Sequence, residues 1–413
     1  MSRACGFDFG TSNTSIAHWA GNGPRLIELQ EGRTSIPTAL FFAFDDGATH
    51  FGRDAIKYYL LRDEGRLMRA LKSLLGSPLF EETTYIRAKK VDFSDIIALF
   101  IRHVRETAGG ADHVVMGRPA YFVDDDAQAD ARAQAQLQEA ARKAGFTHIE
   151  FQLEPIAAAL DYEQSVTKEE LALVIDIGGG TSDFSLVRVS PERARKADRK
   201  SDILACAGVH VGGTDFDRLL SVATVMPYLG LNSRLKTKNM NPPSWYYQDL
   251  ATWQRINFLY DGKVTTEIKG VRRDSAEPEK IDRLLRVIEL RLGHALLGQI
   301  EDTKIALSTQ LKAALASAAF DDGKVLDVTR AQFEKAVSAA MARVAAKVRD
   351  TIALAGLKAD AVETVFVTGG SAAIPMLRRM ISQELPGARI IEGDAFGSVA
   401  TGLAIEAHRR FGR

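Results

Sequence analysis

The 413-residue chain is 46% hydrophobic and 26% charged, ordinary for a soluble globular protein and long enough for two or so domains with sizeable cores. Its 53 Lys and Arg balance 53 Asp and Glu, so no charge excess marks a nucleic-acid or anionic-membrane partner. Cys5 and Cys206 form no CxxC, the 8 His are scattered, no apolar run reaches membrane-span length and no leader pattern opens the chain; zinc, disulfide-framework and membrane-spanning classes drop out, and the cytoplasm is the expected compartment.

In chain order, GFDFGTSNTSIA (6–17) reads as a strand, a tight glycine turn and a returning strand that continues as SIAHWA, with Asp8 between Phe7 and Phe9. The apolar spacing of 94–107 predicts a helix capped by Ser94. VVMGRPAYF (114–122) predicts a strand whose pairing stops at Pro119. The Ala/Gln-rich stretch 127–144 predicts a helix whose start is favoured by Asp124, Asp125 and Asp126. IEFQLEPIAAAL (149–160) predicts a strand, a loop and a helix. VIDIGGGTSDFSLV (174–187) then repeats the opening pattern, with Asp176 between Ile175 and Ile177, followed by Gly178, Gly179, Gly180, Thr181 and Asp183. Residues 227–280 break the regularity with Pro227, Pro242, Pro243 and an aromatic group from Trp245 to Trp253. Helices are expected at about 281–318 and 330–356, then the strand ETVFVTGG and a last helix from about Asp394. The expected division is a first lobe, 1–165, a second, 166–393, and a C-terminal helix, 394–413, that packs back at the hinge. The fold class is α/β, one pattern used twice.

The repeated turns have a chemical reading. Glycines let main-chain N–H groups approach an anion, and Thr and Ser hydroxyls add donors, so two facing turns could grip a polyphosphate. Carboxylates repel phosphate, but a magnesium ion that keeps its waters bridges the two, which gives Asp8 and Asp176 a role in its hydration shell. The alternative is a pair of ordinary hairpins, each with a structural Asp; two equivalent copies weigh against it. GxxxxGK[ST] and GxGxxG are absent, which excludes P-loop and dinucleotide-binding patterns. TGGSAAIP (368–375) joins a strand to a helix and could approach an anion or a ribose, although alone it reads as a plain connection. Glu301, Lys304 and Ser308 share a helix face and could meet a ribose and a base, although spacing alone favours a solvated Glu–Lys pair.

The order of these motifs resembles the actin-like ATPases, and within them the nucleotide-binding domain of the heat-shock seventy (DnaK-type) chaperones, in its short YegD-like branch. GFDFGTSNT is similar to that family's first phosphate loop, VIDIGGGTSDFS to its second, RPAYF and LEPIAAAL to its first connecting segment, VGGTDFD (211–217) to a motif of its second half, IEDTKIALS to its adenosine helix and FVTGGSAAIP to its third loop. The resemblance implies a two-lobed fold, each lobe on a ribonuclease-H-like core, with ATP or ADP and Mg²⁺ in the cleft. It gives Gly10, Thr11, Ser12 and Asn13 one side of the phosphates and Gly178, Gly179, Gly180 and Thr181 the other. Asp8 and Asp176 would hold Mg²⁺ through water. Lys72, in ALKSLLG, would sit by the γ-phosphate and the attacking water, which Glu154 and Asp183 position. Gly212, Gly213, Gly369, Gly370 and Ser371 would lie beside the nucleotide, and Glu301, Lys304 and Ser308 would contact adenosine. The small-residue helices AAAL (157–160) and GSVATGLA (397–404) would cross closely and let the halves move under ligand control.

The chain departs from that family in three places. Ala372 and Ala373 stand where an adenine-stacking arginine belongs. The helix near Gln134 lacks the family arginine that couples nucleotide state to the interdomain linker. The sequence stops at Arg413, before the family's client-binding domain. The expected function is therefore a slow Mg-dependent ATPase switch of chaperone type, with a protein partner or exchange factor expected at the outer part of the second lobe. A nucleotide-gated scaffold or filament protein, and a small-molecule kinase of the same superfamily, stay open at this point.

Overall fold

The computed structural model describes residues 4–61, 64–123, 126–196, 198–236, 240–320, 324–394 and 397–412. They form two compact units: one of residues up to His210 with Ala345–Ala372 and those from Ile381 on, the other of Val211–Val344 and Ala373–Met380.

The first unit holds two sheets with one strand plan. In one, Gly23–Leu26, Asn13–Ala20 and Ala4–Phe9 run antiparallel, and His113–Arg118 and His148–Leu153 continue in parallel from Ala4–Phe9. In the other, Ile203–Val209, Ser182–Val189 and Glu170–Ile177 run antiparallel, and Thr364–Thr368 and Arg389–Glu392 continue in parallel. This is the duplicated α/β pattern expected from the two acid-centred hairpins.

Strand alternation decides which side chains enter the core. Phe7 and Phe9 are fully buried and pack with Phe100, Ile101 and Leu137, on helices Phe93–Thr107 and Ala127–Lys143. Each such side chain contributes about 1.5–3 kcal/mol on burial. Asp8, between them in sequence, points to the opposite face. On that side Val115, Ile156, Leu160, Val174, Phe366 and Leu403 form a second core. Through it run helices Glu154–Glu163 and Ser398–Phe411. They approach closely at Gly402, where a Cβ would lie 1.8 Å from the Ala157 carbonyl oxygen.

Several boundaries differ from the sequence expectations. The helix predicted at 94–107 starts at Phe93, and no side chain caps it; Ser94 lies within its first turn. Asp126 does cap Ala127–Lys143, accepting from the Gln128 and Ala129 amides, while Asp124 and Asp125 lie outside the described residues. No loop separates His148–Leu153 from Glu154–Glu163. The expected helix 281–318 is two helices, Pro278–Glu289 and Gly293–Thr309, followed by a strand, Lys312–Ala316, that pairs with Val325–Thr329. The break falls where Arg291 takes a left-handed φ of 48°. The last helix begins at Ser398 rather than near Asp394.

In the second unit Tyr246 and Tyr247 are buried, Trp253 is half-buried, and Trp245 stays 40% exposed. No described helix is long and apolar enough to cross a membrane.

Candidate active site

Antiparallel pairing sets Asp8 opposite Ser15, and Asp176 opposite Asp183, with Thr368 on its other side. The first turn is held from outside by Thr38. Its hydroxyl donates to the Gly10 carbonyl at 2.8 Å and its amide donates to the Ser12 carbonyl at 2.9 Å. In the second turn the Gly178 amide donates to the Thr181 carbonyl at 2.9 Å, and the Thr181 hydroxyl donates to Asp183 Oδ2 at 3.1 Å.

The two turns meet. A Cβ on Gly179 would lie 1.8 Å from Ser12 Oγ and 3.0 Å from Ser12 Cβ, so the missing side chain lets the turns approach with Ser12 in this rotamer. The third glycine turn arrives at the same place. Gly369 has φ +89°, and a Cβ there would lie 2.6 Å from Asp176 Oδ1. Gly370 beside it is exposed and Ser371 is buried. The Gly10–Asn13 turn, the Gly178–Thr181 turn and Gly369 thus gather around the end of the strand that carries Asp176.

Lys72 belongs to this group. It sits on the short 3-10 turn Leu71–Leu74, entered through Ala70 in a left-handed conformation. Its ammonium lies 2.7 Å from Glu154 Oε1, and both side chains are mostly buried. Glu154 opens its helix, where the macrodipole favours a carboxylate. Burial raises the Asp8 carboxyl to about 7, aided by Glu154 and opposed by Lys72. Burial likewise raises Asp176 to about 8, aided by Asp183, Glu154 and Asp8 and opposed by Lys72. For Lys72 burial acts downward, but Glu154, Asp8 and Asp183 outweigh it and the net shift is upward. Asp8, Lys72, Glu154, Asp176 and Asp183 therefore share one electrostatic field. Among the described residues, no group of three or more His, Cys, Asp or Glu is gathered to chelate a metal directly.

The remaining expected residues lie in the second unit. Gly212 and Gly213 begin the helix Gly213–Thr224, and the Gly212 amide donates to Asp215 Oδ2 at 3.1 Å. Lys304 is buried with its ammonium 2.9 Å from Asp217 Oδ1, and it donates to the Gly213 carbonyl at 3.3 Å. Glu301 is exposed, and Ser308 donates to the Lys304 carbonyl at 3.5 Å. The expected Glu–Lys pair is thus replaced by a Lys304–Asp217 pair, on VGGTDFD.

Sequence reasoning missed Thr38, which fixes the first turn from 28 residues away and carries no local signal. It also missed Arg118, which holds both Asp130 oxygens at 2.8 and 3.0 Å and donates to Gln134 Oε1 at 2.6 Å. Gln134, on the helix expected to lack the family's coupling arginine, thus accepts a bond from Arg118.

A family model described as Hsp70 protein matches residues 81–229 and 279–412, well over half of the chain. The matched spans take in Glu154, the Asp176–Asp183 hairpin, Gly212 and Gly213, Glu301–Ser308 and the third glycine turn; the first hairpin and Lys72 lie ahead of them.

Proposed function

The chain belongs to the Hsp70 family, an ATP-binding domain of the actin-like ATPase fold, and we propose that it acts as a magnesium-dependent nucleotide switch that hydrolyses ATP slowly, in the manner of a chaperone ATPase. One arrangement carries the reading: two glycine hairpins in contact at Gly179 and Ser12, with the Lys72–Glu154 pair in the field of Asp8 and Asp176.

The donor set suits a hard, oxygen-binding cation. Four carboxylates share the field with Lys72 as their counter-charge, and two of them are pushed towards neutrality by burial and mutual repulsion. A hydrated divalent cation would relieve that repulsion, with Asp8 and Asp176 reached through its waters. When bound, it would offset charge on the phosphates being cleaved.

The chain's own groups do the rest. Main-chain N–H groups of Gly10–Asn13, Gly179 and Gly180, with the hydroxyls of Thr11 and Ser12, would donate to the phosphates, while the Gly178 amide and the Thr181 hydroxyl brace the second turn through the Thr181 carbonyl and Asp183. The Lys72 ammonium donates to the γ-phosphate and the attacking water. Glu154 holds that ammonium in place and, with Asp183, accepts from the water. Hydrolysis of this kind needs positioning and charge stabilisation more than covalent help. Gly212, Gly213, Gly369, Gly370 and Ser371 would approach the nucleotide. Glu301, Lys304 and Ser308 are assigned to adenosine by the resemblance; the Lys304–Asp217 bond makes the exposed Glu301 the most accessible of the three. A protein partner would meet the surface around Trp245, the most exposed aromatic of the Trp245–Trp253 group.

The test is single-turnover hydrolysis of ATP with Mg²⁺ by the intact chain and by Lys72→Ala, with nucleotide binding measured alongside. Slow phosphate release by the intact chain, lost in the variant while binding persists, is the expected result. Binding without release by either protein would sink the hydrolytic role.

A further inference from the structure

The first unit contains a second concavity that shares no lining residue with the carboxylate cluster. The hairpin Thr83–Ile86 and Lys89–Asp92, the strand Ala39–Ala43 with the turn after it, and the helix Phe93–Thr107 border a space of about 880 Å³. That is within the range of small-molecule sites. Its floor is apolar, with Phe42, Ile86, Val91 and Leu99. Its rim is cationic: Arg87 and Lys89 on the hairpin, Arg102 on the helix, and Lys143.

The charges do not cancel. Lys143 is matched by Asp95 at 2.6 Å. Arg87 donates to the Ala43 carbonyl, and Arg102 donates to the Lys143 carbonyl at 2.6 Å. Those bonds fix each guanidinium in place without neutralising it. Among the described residues, Arg87, Lys89 and Arg102 have no carboxylate partner. An apolar floor under unmatched, pre-positioned cations is complementary to one class of ligand, an apolar body with an anionic head, and guanidinium groups suit a carboxylate in particular.

We propose that this groove binds a single-chain alkyl carboxylate, with its chain on Phe42, Ile86, Val91 and Leu99 and its head at Arg87, Lys89 and Arg102. The proposal is independent of ATP hydrolysis, which engages none of these residues.

The test uses the full chain and dodecanoate. Dodecanoate should displace the fluorescent anion anilinonaphthalene sulfonate, and dodecyltrimethylammonium should not. Shortening the chain by two methylenes should weaken binding roughly tenfold. Arg87→Gln combined with Arg102→Gln should weaken it at least tenfold, with circular dichroism and ATP hydrolysis unchanged. A dodecanoate bearing a diazirine at its far end should leave adducts on peptides covering 39–48 and 83–102. Equal binding of the cationic amphiphile, full affinity in the double variant, or adducts confined to other segments would each overturn the assignment.

Discussion

Lys72 and Glu154 lie 82 residues apart in sequence, and their charged atoms are 2.7 Å apart in space. One comes from a short 3-10 turn, the other from the first turn of a helix, so the pair ties two separate elements of the first unit. Replacing Lys72 by Ala is expected to slow phosphate release by about 10²–10³ while ATP affinity changes by a few-fold. Single-turnover kinetics with equilibrium nucleotide binding checks both numbers. Equal losses of binding and release would move Lys72 from catalysis to binding.

Gly402 and Gly298 should respond in opposite directions to the same change. A methyl at Gly402 would be forced onto the Ala157 main chain, where two helices cross, and Gly402→Ala should destabilise by about 1–3 kcal/mol or more. Gly298 lies inside helix Gly293–Thr309 with open space where a Cβ would go. Gly298→Ala should stabilise by about 0.5–1 kcal/mol. Chemical denaturation of the two variants measures both, and a loss at Gly298 would contradict the account.

The raised carboxyls fix the sign of a pH effect. Burial holds the Asp176 proton up to about 8 in the folded protein, whereas the unfolded chain releases it at the ordinary carboxyl value of 3.8. Between those limits the folded state binds more protons, so stability falls as pH rises. Asp176→Asn, which stays neutral, should therefore melt higher than the parent at pH 8 and close to it at pH 4, in chelator and without nucleotide. A variant that melts lower at pH 8 would remove the basis for the predicted slope.

Arg199 is buried between Glu163 and Asp202, donating to Glu163 at 2.7 and 2.8 Å and to Asp202 Oδ2 at 2.5 Å. Arg199→Met leaves two interior carboxylates without their shared cation, and a loss of about 3–5 kcal/mol is expected. Urea denaturation reads it directly, and a loss below about 1 kcal/mol would mean that water or Arg193 takes over the charge.

The hairpins were readable because their information is local. An acid between apolar neighbours, a glycine turn and a returning strand lie within fifteen residues, and strand alternation then points Asp8 and Asp176 away from the cores that hold their neighbours. Lys72 became legible only through resemblance, because its partner is supplied by the fold. Thr38, Arg118 and Arg199 escaped for the same reason; each acts on residues brought near by tertiary structure. The helix expected at 281–318 failed for a different reason. Apolar spacing runs on through Leu290 and Leu292, while the helix is broken where Arg291 takes a left-handed φ, and no proline marks the stop. Lys312–Ala316 alternates small residues too weakly to signal a strand.

The second sheet has a consequence for how the chain is made. Val174 pairs in parallel with Phe366, nearly two hundred residues later, and almost the whole second unit is encoded between them. During synthesis the Glu170–Ile177 strand must wait, one edge open, until Thr364–Thr368 emerges. Long-range parallel pairing is slow to form, and an apolar edge left unpaired invites association with other chains. A nascent chain arrested after about residue 345 would hold its first hairpins and its inserted unit but lack the strand and the last helix that complete the sheet and its core. The segment most prone to aggregate during biogenesis would then be VIDI, the strand that in the finished protein carries Asp176.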